Sequence, residues 1–150
     1  METRKKLHPP AYLLASIVLM VALHFIAPAA RLISSPWNLL GAIPLAVGIV
    51  INIVADKAFH SAGTTVKPFQ ESTSLITTGV FRVSRNPMYL GMILLVLGIA
   101  LIMGSLTPLA VVPILALLLD RKYIAVEERM LEERFGPAWL EYKKRVRRWI

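Results

Sequence analysis

The amino-acid sequence predicts an all-α integral membrane protein: a bundle of four transmembrane helices, the last two forming a hairpin, and a cytoplasmic C-terminal helix. Three runs without Lys, Arg, Asp or Glu lead to this class, at 7–30, 32–55 and 86–119. A bilayer span needs roughly 20 mostly apolar residues, so the first two runs each suit one span. The third run would reach about 51 Å as one straight helix, beyond a hydrocarbon core of about 30 Å. We therefore expect it to fold back near Gly104 and Ser105.

The positions of the basic residues support four spans. Four spans place both termini and the central loop on one side, together with 16 of the 17 Lys and Arg residues; only Arg31 lies on the other side. By the positive-inside rule this side is the cytoplasm, here of a prokaryotic inner membrane. The groups on that side are Arg4, Lys5 and Lys6, then Lys57, Lys67, Arg82 and Arg85, and nine residues after the apolar run that ends at 119.

This topology explains the net charge of +8, which would also attract membrane lipids with anionic headgroups. Nucleic acid is not an expected partner. An alternative for the N-terminus is a cleaved secretory signal, since basic residues, an apolar stretch and Ala-Pro-Ala at 27–29 follow one another. The absence of cysteine excludes disulfides, thiolate metal sites and cysteine nucleophiles.

The elements follow in order along a single domain, residues 1–150. The first span ends near Pro28, and the second begins near Trp37, an aromatic residue suited to the membrane interface. The polar loop at 61–84 is long for a connection, which is typical of functional loops. Gly136 and Pro137 end the cytoplasmic extension of the fourth span. The predicted spans are 11–28, 37–57, 87–103 and 106–126, with a C-terminal helix at 137–149.

The C-terminal helix is amphipathic and has two interpretations. Trp139, Tyr142, Val146 and Trp149 lie near one face, with basic residues on the other. This pattern suits a helix lying on the membrane surface. It equally suits a helix that packs against the cytoplasmic loop.

The stretch "RVSRNPMYLGM" at 82–92 resembles the start of a helix built to bind an anion. Asn86 is a favourable N-cap residue, and Pro87 suits the first helical position. The N–H groups that follow, with Arg82 and Arg85 beside them, attract a carboxylate or phosphate. Gly91 allows close approach to the backbone. The structural alternative is a capped helix whose arginines extend to headgroups.

Glu127 and Glu128 lie just beyond the fourth span. If the hairpin folds near Gly104, this acidic pair returns to the helix start at Pro87. Together the two clusters suit a zwitterionic ligand, or a ribose whose hydroxyls pair with Glu. Alone, "EERMLEER" is also an ordinary solvated helix with Glu–Arg pairs.

Other polar residues give weaker indications. Asn52, Asp56 and His60 recur every four residues and would align on one helix stripe, either at a substrate site or at an interfacial helix end. The lone His24 of the first span suggests a hydrogen bond between packed helices. No metal site is expected, because the three histidines are scattered.

Two ordered motifs, "GVFRVSRNPMYLG" and "EERMLEERFGPAWLEYKKRVRRW", resemble the isoprenylcysteine carboxyl methyltransferase and phospholipid methyltransferase group of integral membrane enzymes. The likeness covers roughly 63–150. The first part is filled by Arg85, Asn86, Pro87, Tyr89 and Gly91, and the second by Glu127, Glu128, Leu131, Phe135, Gly136, Trp139, Tyr142 and Val146.

The resemblance implies S-adenosylmethionine as cofactor, bound in a pocket that faces the cytoplasm between the hairpin and the C-terminal segment. It implies methyl transfer to a lipophilic or membrane-delivered small acceptor: a lipid amine, carboxylate or thiol. Substrate or anion contacts are expected from Arg82, Arg85, Asp56 and His60. The residues expected to line the cofactor site are Asn86, Pro87, Met88, Tyr89, Gly91, Leu94, Ile99, Ile102, Glu127 and Glu128.

The sequence departs from the group's pattern at two positions. Asn86 replaces a histidine that is common in prenylcysteine enzymes, and Tyr123 stands where those enzymes are expected to carry an arginine for a substrate carboxylate. Carboxyl methylation of a prenylated cysteine is therefore doubtful. The competing interpretations are a nicotinamide-dependent reductase of sterol-type double bonds and a small non-enzymatic membrane protein.

Overall fold

A computed structural model describes residues 8–64 and 72–150, so Arg4, Lys5, Lys6 and Lys67 of the charge pattern lie outside the described residues. The described part is all helical and contains no β-strand, as predicted. Its helices are α1 (Pro9–Ile26), α2 (Ala42–Ser61), α3 (Pro87–Met103), α4 (Leu106–Leu119), α5 (Ala125–Phe135) and α6 (Pro137–Arg145).

Three further segments join these helices. Short 3₁₀ turns at Trp37–Gly41 and Gly79–Arg82 lead into α2 and precede α3. A π-helical segment, Asp120–Ile124, connects α4 to α5 without interrupting the helical path. The predicted helical continuation beyond α4 is therefore present, and Gly136 ends it with φ +48°.

Two described segments, Pro9–Ile26 and Trp37–Ser61, are long and apolar enough to cross a membrane, while the apolar α3 is shorter. The helical nature of the fold is confirmed, and the count of four spans stays a prediction. The central helix is α3, which packs against α1, α2 and α4. A core between α1, α3 and α4 contains Met20, Val96, Leu119 and Tyr123.

The predicted hairpin turn lies between α3 and α4. Gly104 adopts φ +70°, a left-handed conformation that a glycine tolerates without strain. Leu32 N donates to Gly104 O over 2.8 Å, and His24 Nδ1 lies 3.0 Å from Ser105 Oγ. The turn is therefore hydrogen-bonded to the loop after α1. His24 of α1 makes the predicted helix-packing contact, with Ser105 at the start of α4.

The last helix ends earlier than the sequence predicts, at Arg145 instead of 149. Val146 is extended (φ −123°, ψ 134°), because the chain turns there to run beside the start of α3. Trp139 and Tyr142 are buried, and Tyr142 Oη donates to Phe81 O over 2.6 Å. Of the two interpretations of this helix, the structure thus supports packing against the loop before α3.

Candidate active site

Helix α3 begins at Pro87, as predicted, but its cap differs from the prediction. Asn86 occupies the N-cap position without making a side-chain cap bond. Its Nδ2 instead donates to Arg148 O over 3.1 Å. Pro87 has no N–H, and Leu90 N donates to Asn86 O over 3.0 Å. Helix geometry therefore leaves the N–H groups of Met88 and Tyr89 without an intrahelical acceptor.

The hairpin brings the acidic pair to this helix start. Tyr89 Oη donates to Glu127 Oε1 over 2.7 Å, and Asn86 Nδ2 lies 3.5 Å from Glu128 Oε1. These residues are separated by about forty positions in the chain, and they meet because the turn at Gly104 reverses the chain direction between them. The predicted convergence of the two clusters is therefore observed.

The two glutamates have different surroundings. Burial raises the pKa of the Glu127 carboxyl to about 7, although the hydrogen bond from Tyr89 acts in the opposite direction. Burial would also raise the pKa of Glu128, but hydrogen bonds from Arg148 and Arg85 hold it below its ordinary value. Glu127 can therefore change its charge near neutral pH, whereas Glu128 stays ionised.

Glu128 is the centre of a buried ionic cluster. Arg85 Nη2 donates to Glu128 Oε1 over 2.8 Å, and Arg148 Nη2 donates to Glu128 Oε2 over 2.6 Å. Arg148 Nη1 also donates to Asp120 Oδ1 over 3.2 Å. The side chains of Arg85 and Glu128 are only 8% and 6% exposed. The cluster therefore joins the loop before α3, the π-helical segment, α5 and the residues after α6.

A cavity of about 720 Å³ opens beside the helix start. Its lining comes from α3, α5 and α6, from the loop before α3 and from the first residues of α1. Polar side chains and apolar side chains both line it. The polar ones include Asn86, Tyr89, Glu127 and Arg134, and the apolar ones include Phe59, Leu75, Ile76, Phe81, Met92, Met130 and Leu131.

Six of the predicted site residues line this cavity: Arg85, Asn86, Pro87, Met88, Tyr89 and Glu127. The Arg85 guanidinium is already engaged, because Nε and Nη2 donate to Glu128, and Nη1 donates to the carbonyl oxygens of Lys143 and Val146. Although Arg85 lines the cavity, its guanidinium is therefore already paired and is not a free cation. Glu128 lies behind the wall, in the ionic cluster.

The remaining predicted site residues do not line the cavity. Gly91 packs against α2, where an added Cβ would meet Gly48 O at 2.9 Å. Arg82 is exposed, and Asp56 and His60 form an exposed pair 3.5 Å apart. Leu94, Ile99 and Ile102 belong to the packing of α3 against its neighbours. Their predicted contacts with cofactor or substrate stay predictions.

Trp139 and Tyr142 line the cavity but were not among the predicted site residues. The Nε1 atom of Trp139 is buried and has no hydrogen-bond partner among the described residues. Arg85 lies over the same indole ring, 5.7 Å from its centroid. The amphipathic spacing of Trp139 and Tyr142 shows that they share a face, but only the fold shows that this face meets the cavity.

Comparison with known proteins gives consistent results. The chain is 38% identical over 99 residues to the protein-S-isoprenylcysteine O-methyltransferase of Saccharomyces cerevisiae, covering 63% of this chain and 40% of that protein. It is also 38% identical over 63 residues to an uncharacterized protein of Haemophilus influenzae, covering 42% of this chain and all of that protein. The chain thus spans less than half the length of the yeast relative.

The fold resembles a solved structure, a eukaryotic intramembrane Ras methyltransferase of the isoprenylcysteine carboxyl methyltransferase type. The TM-score is 0.70 at 22% identity, with 94% of this chain and 51% of that chain covered. At this identity the likeness concerns the fold alone.

The helical fold with its apolar helices is thus similar to that of an intramembrane methyltransferase. Residues 37–138 match the family model described as phospholipid methyltransferase. Because this range is more than half of the chain, the chain belongs to the phospholipid methyltransferase family.

Proposed function

We propose that this protein transfers a methyl group from S-adenosylmethionine to a lipophilic or membrane-delivered acceptor at the cytoplasmic membrane face. The observation that carries the proposal is the Tyr89–Glu127 hydrogen bond of 2.7 Å, since it joins the helix start to the acidic residue on one wall of the cavity. Membership of the phospholipid methyltransferase family supports the same activity.

The residues present fit such a cofactor. Its carboxylate suits the N–H groups of Met88 and Tyr89, because a helix start attracts anions. Its ammonium group or ribose hydroxyls suit the Glu127 carboxylate, and the unpartnered Nε1 of Trp139 offers a donor to a ligand in the cavity. The cavity volume of about 720 Å³ lies within the usual range for small-molecule sites, roughly 300–1,000 Å³.

In this mechanism the main task of the protein is to position the acceptor against the methyl group. The bound sulfonium supplies an activated methyl group, so the protein needs to align the acceptor and exclude water. Tyr89 fixes the Glu127 carboxylate, and the buried cluster around Glu128 holds the helix start in place. Trp139 and Phe81 are buried and line the same cavity, so their rings reduce the access of water to it.

The apolar part of the lining suits the acceptor. Phe59, Leu75, Ile76 and Leu131 line the same cavity as Glu127 and Tyr89. An acceptor with an acyl, prenyl or similar tail would place this tail against the apolar side chains and its reactive amine, carboxylate or thiol toward the cofactor. We further propose four spans with both termini in the cytoplasm, which brings the cavity to the cytoplasmic membrane boundary.

Calorimetry with S-adenosylhomocysteine on the detergent-solubilised protein tests this function. We expect saturable binding by the wild type and affinity about tenfold weaker or worse in Glu127→Ala and Tyr89→Ala, because each loses a polar group of the cavity wall. Glu132→Ala is the matched control, since Glu132 forms only an exposed pair with Lys143. Equal heats from the wild type and both cavity variants would contradict the proposal. Membranes incubated with methyl-labelled cofactor would identify the acceptor.

A further inference from the structure

The four residues after α6, Val146–Trp149, form a C-terminal tail that runs beside the start of α3. Arg147 O accepts from Arg85 N over 3.0 Å, and Arg148 O accepts from Ser84 Oγ over 3.2 Å and from Asn86 Nδ2 over 3.1 Å. Each of the three residues that precede Pro87 is therefore bonded to a carbonyl of the tail.

The side chain of Arg148 anchors this tail. It donates to Glu128 Oε2 through Nη2 over 2.6 Å and through Nε over 3.2 Å. Its Nη1 donates to both carboxylate oxygens of Asp120, over 3.2 and 3.3 Å. Asp120 is the first residue of the π-helical segment and Glu128 lies on α5, so one guanidinium fixes the tail to both elements.

This anchoring has a consequence for Asn86. A capping residue usually has an extended backbone and accepts a hydrogen bond from the second or third helical N–H, which here belong to Met88 and Tyr89. Asn86 has φ −127° and ψ 57°, and it makes no such bond. Its amide donates to the tail carbonyl of Arg148 instead. A residue type that favours capping is thus held in a conformation that does not cap.

We propose that Arg148 and the tail keep Asn86 from capping α3, and so reserve the N–H groups of Met88 and Tyr89 for an anionic group of the ligand. Arg148 is then a positioning residue, which acts on the cofactor site through Asn86. This inference rests on the proposed function for the identity of the ligand, but the state of the helix start can be measured without any ligand.

The test compares Arg148→Ala, and a second variant lacking 147–150, with wild type and with Arg145→Ala. Arg145→Ala is a matched control because it removes the same charge, but from an exposed pair with Glu141. Backbone amide exchange in the isotope-labelled, micelle-bound protein is measured at both Met88 and Tyr89 by NMR. In both tail variants Asn86 becomes free to cap, so we expect exchange at Met88 or Tyr89 to slow about fivefold. Exchange unchanged from the Arg145→Ala control in both variants would overturn the proposal.

Affinity for S-adenosylhomocysteine supplies the second measurement. We expect about fivefold weaker binding in Arg148→Ala and recovery of most of this loss in Arg148→Ala/Asn86→Ala, because alanine is a poor cap and frees the N–H groups again. A tail that merely stabilised the fold would give no such recovery, and a double variant no tighter than Arg148→Ala would refute the role of Asn86. Absence of binding by the wild type would refute the proposed function, while amide exchange would still decide the role of the tail.

Discussion

Glu127 and Glu128 are adjacent in the chain, but their carboxylates point to different partners. Neighbouring positions on a helix are about 100° apart, so one can face a cavity while the other faces the packed interior. Glu128 is bonded to two guanidinium groups, and Glu127 receives the neutral phenol of Tyr89. The fixed charge and the adjustable charge of the site are therefore separated by a single peptide bond.

The adjustable charge predicts a pH dependence of ligand binding. The ionised form of Glu127 binds the cofactor's ammonium or hydroxyl groups, and with a pKa of about 7 its population falls as the pH is lowered. One unit below this pKa about a tenth is ionised, so we expect affinity for S-adenosylhomocysteine about tenfold weaker at pH 6 than at pH 8. Calorimetry across this range measures it. Glu127→Gln should bind weakly and with little change across the range; a wild-type profile as flat as that of this variant would contradict the assignment.

The element that sets the position of the helix start is α2, which approaches α3 closely through glycine. An added Cβ at Gly98 would meet Gly41 O at 2.6 Å, and one at Gly48 would meet Gly91 O at the same distance. Gly41 directly precedes α2, and the two contacts are seven residues apart in both segments, which places them on one face. Small residues let helices approach in this way in membranes.

Gly98→Ala should therefore destabilise the protein. The methyl group would force the backbones of α2 and α3 apart, at a cost of about 1–3 kcal/mol. Thermal unfolding in detergent should show a lower midpoint than wild type. Ala46→Val adds methyl groups to an exposed position of α2 and serves as the control. A Gly98→Ala midpoint equal to that of the control would mean that the helices are not held at this distance.

The sequence predicts the elements that depend on local patterns. Asn86 and Pro87 mark the start of α3, and Gly104 marks the hairpin turn, because capping and left-handed conformations have strong residue preferences. The role of Arg85 could not be predicted, since it depends on Glu128 and on carbonyl oxygens of a distant segment. Contacts made through backbone carbonyls have no residue signature, so the hydrogen bond between Asn86 and the tail could not be predicted from the sequence either.

At the scale of the whole molecule, α1 and α2 lie on the outside of the bundle. Both present large apolar side chains outward, such as Phe25 and Ile26 on α1 and Ile43 and Val50 on α2. Exposed apolar surface of this kind suits contact with lipid. In the proposed topology the loop between these two helices faces away from the cytoplasm, and α6 faces the cytoplasm.

This topology can be tested with single cysteines, because the chain has none of its own. Ser34 lies in the loop after α1, Lys144 lies on α6, and both are exposed. A membrane-impermeant maleimide should label Ser34→Cys in intact cells and label Lys144→Cys only after the membrane is permeabilised. Labelling of both in intact cells, or of Lys144→Cys alone, would rule out four spans with cytoplasmic termini.

The π-helical segment Asp120–Ile124 carries a constraint on how this chain can evolve. Such a segment corresponds to one residue inserted into an α-helix. Losing a residue there would restore a regular helix and rotate everything beyond it by about 100°, turning Glu127 away from Tyr89. A substitution that spares Asp120, which bonds Arg148, and Tyr123, which packs in the core, keeps the number of residues and hence this register. During evolution the amino-acid sequence of this segment can therefore change, but its length cannot.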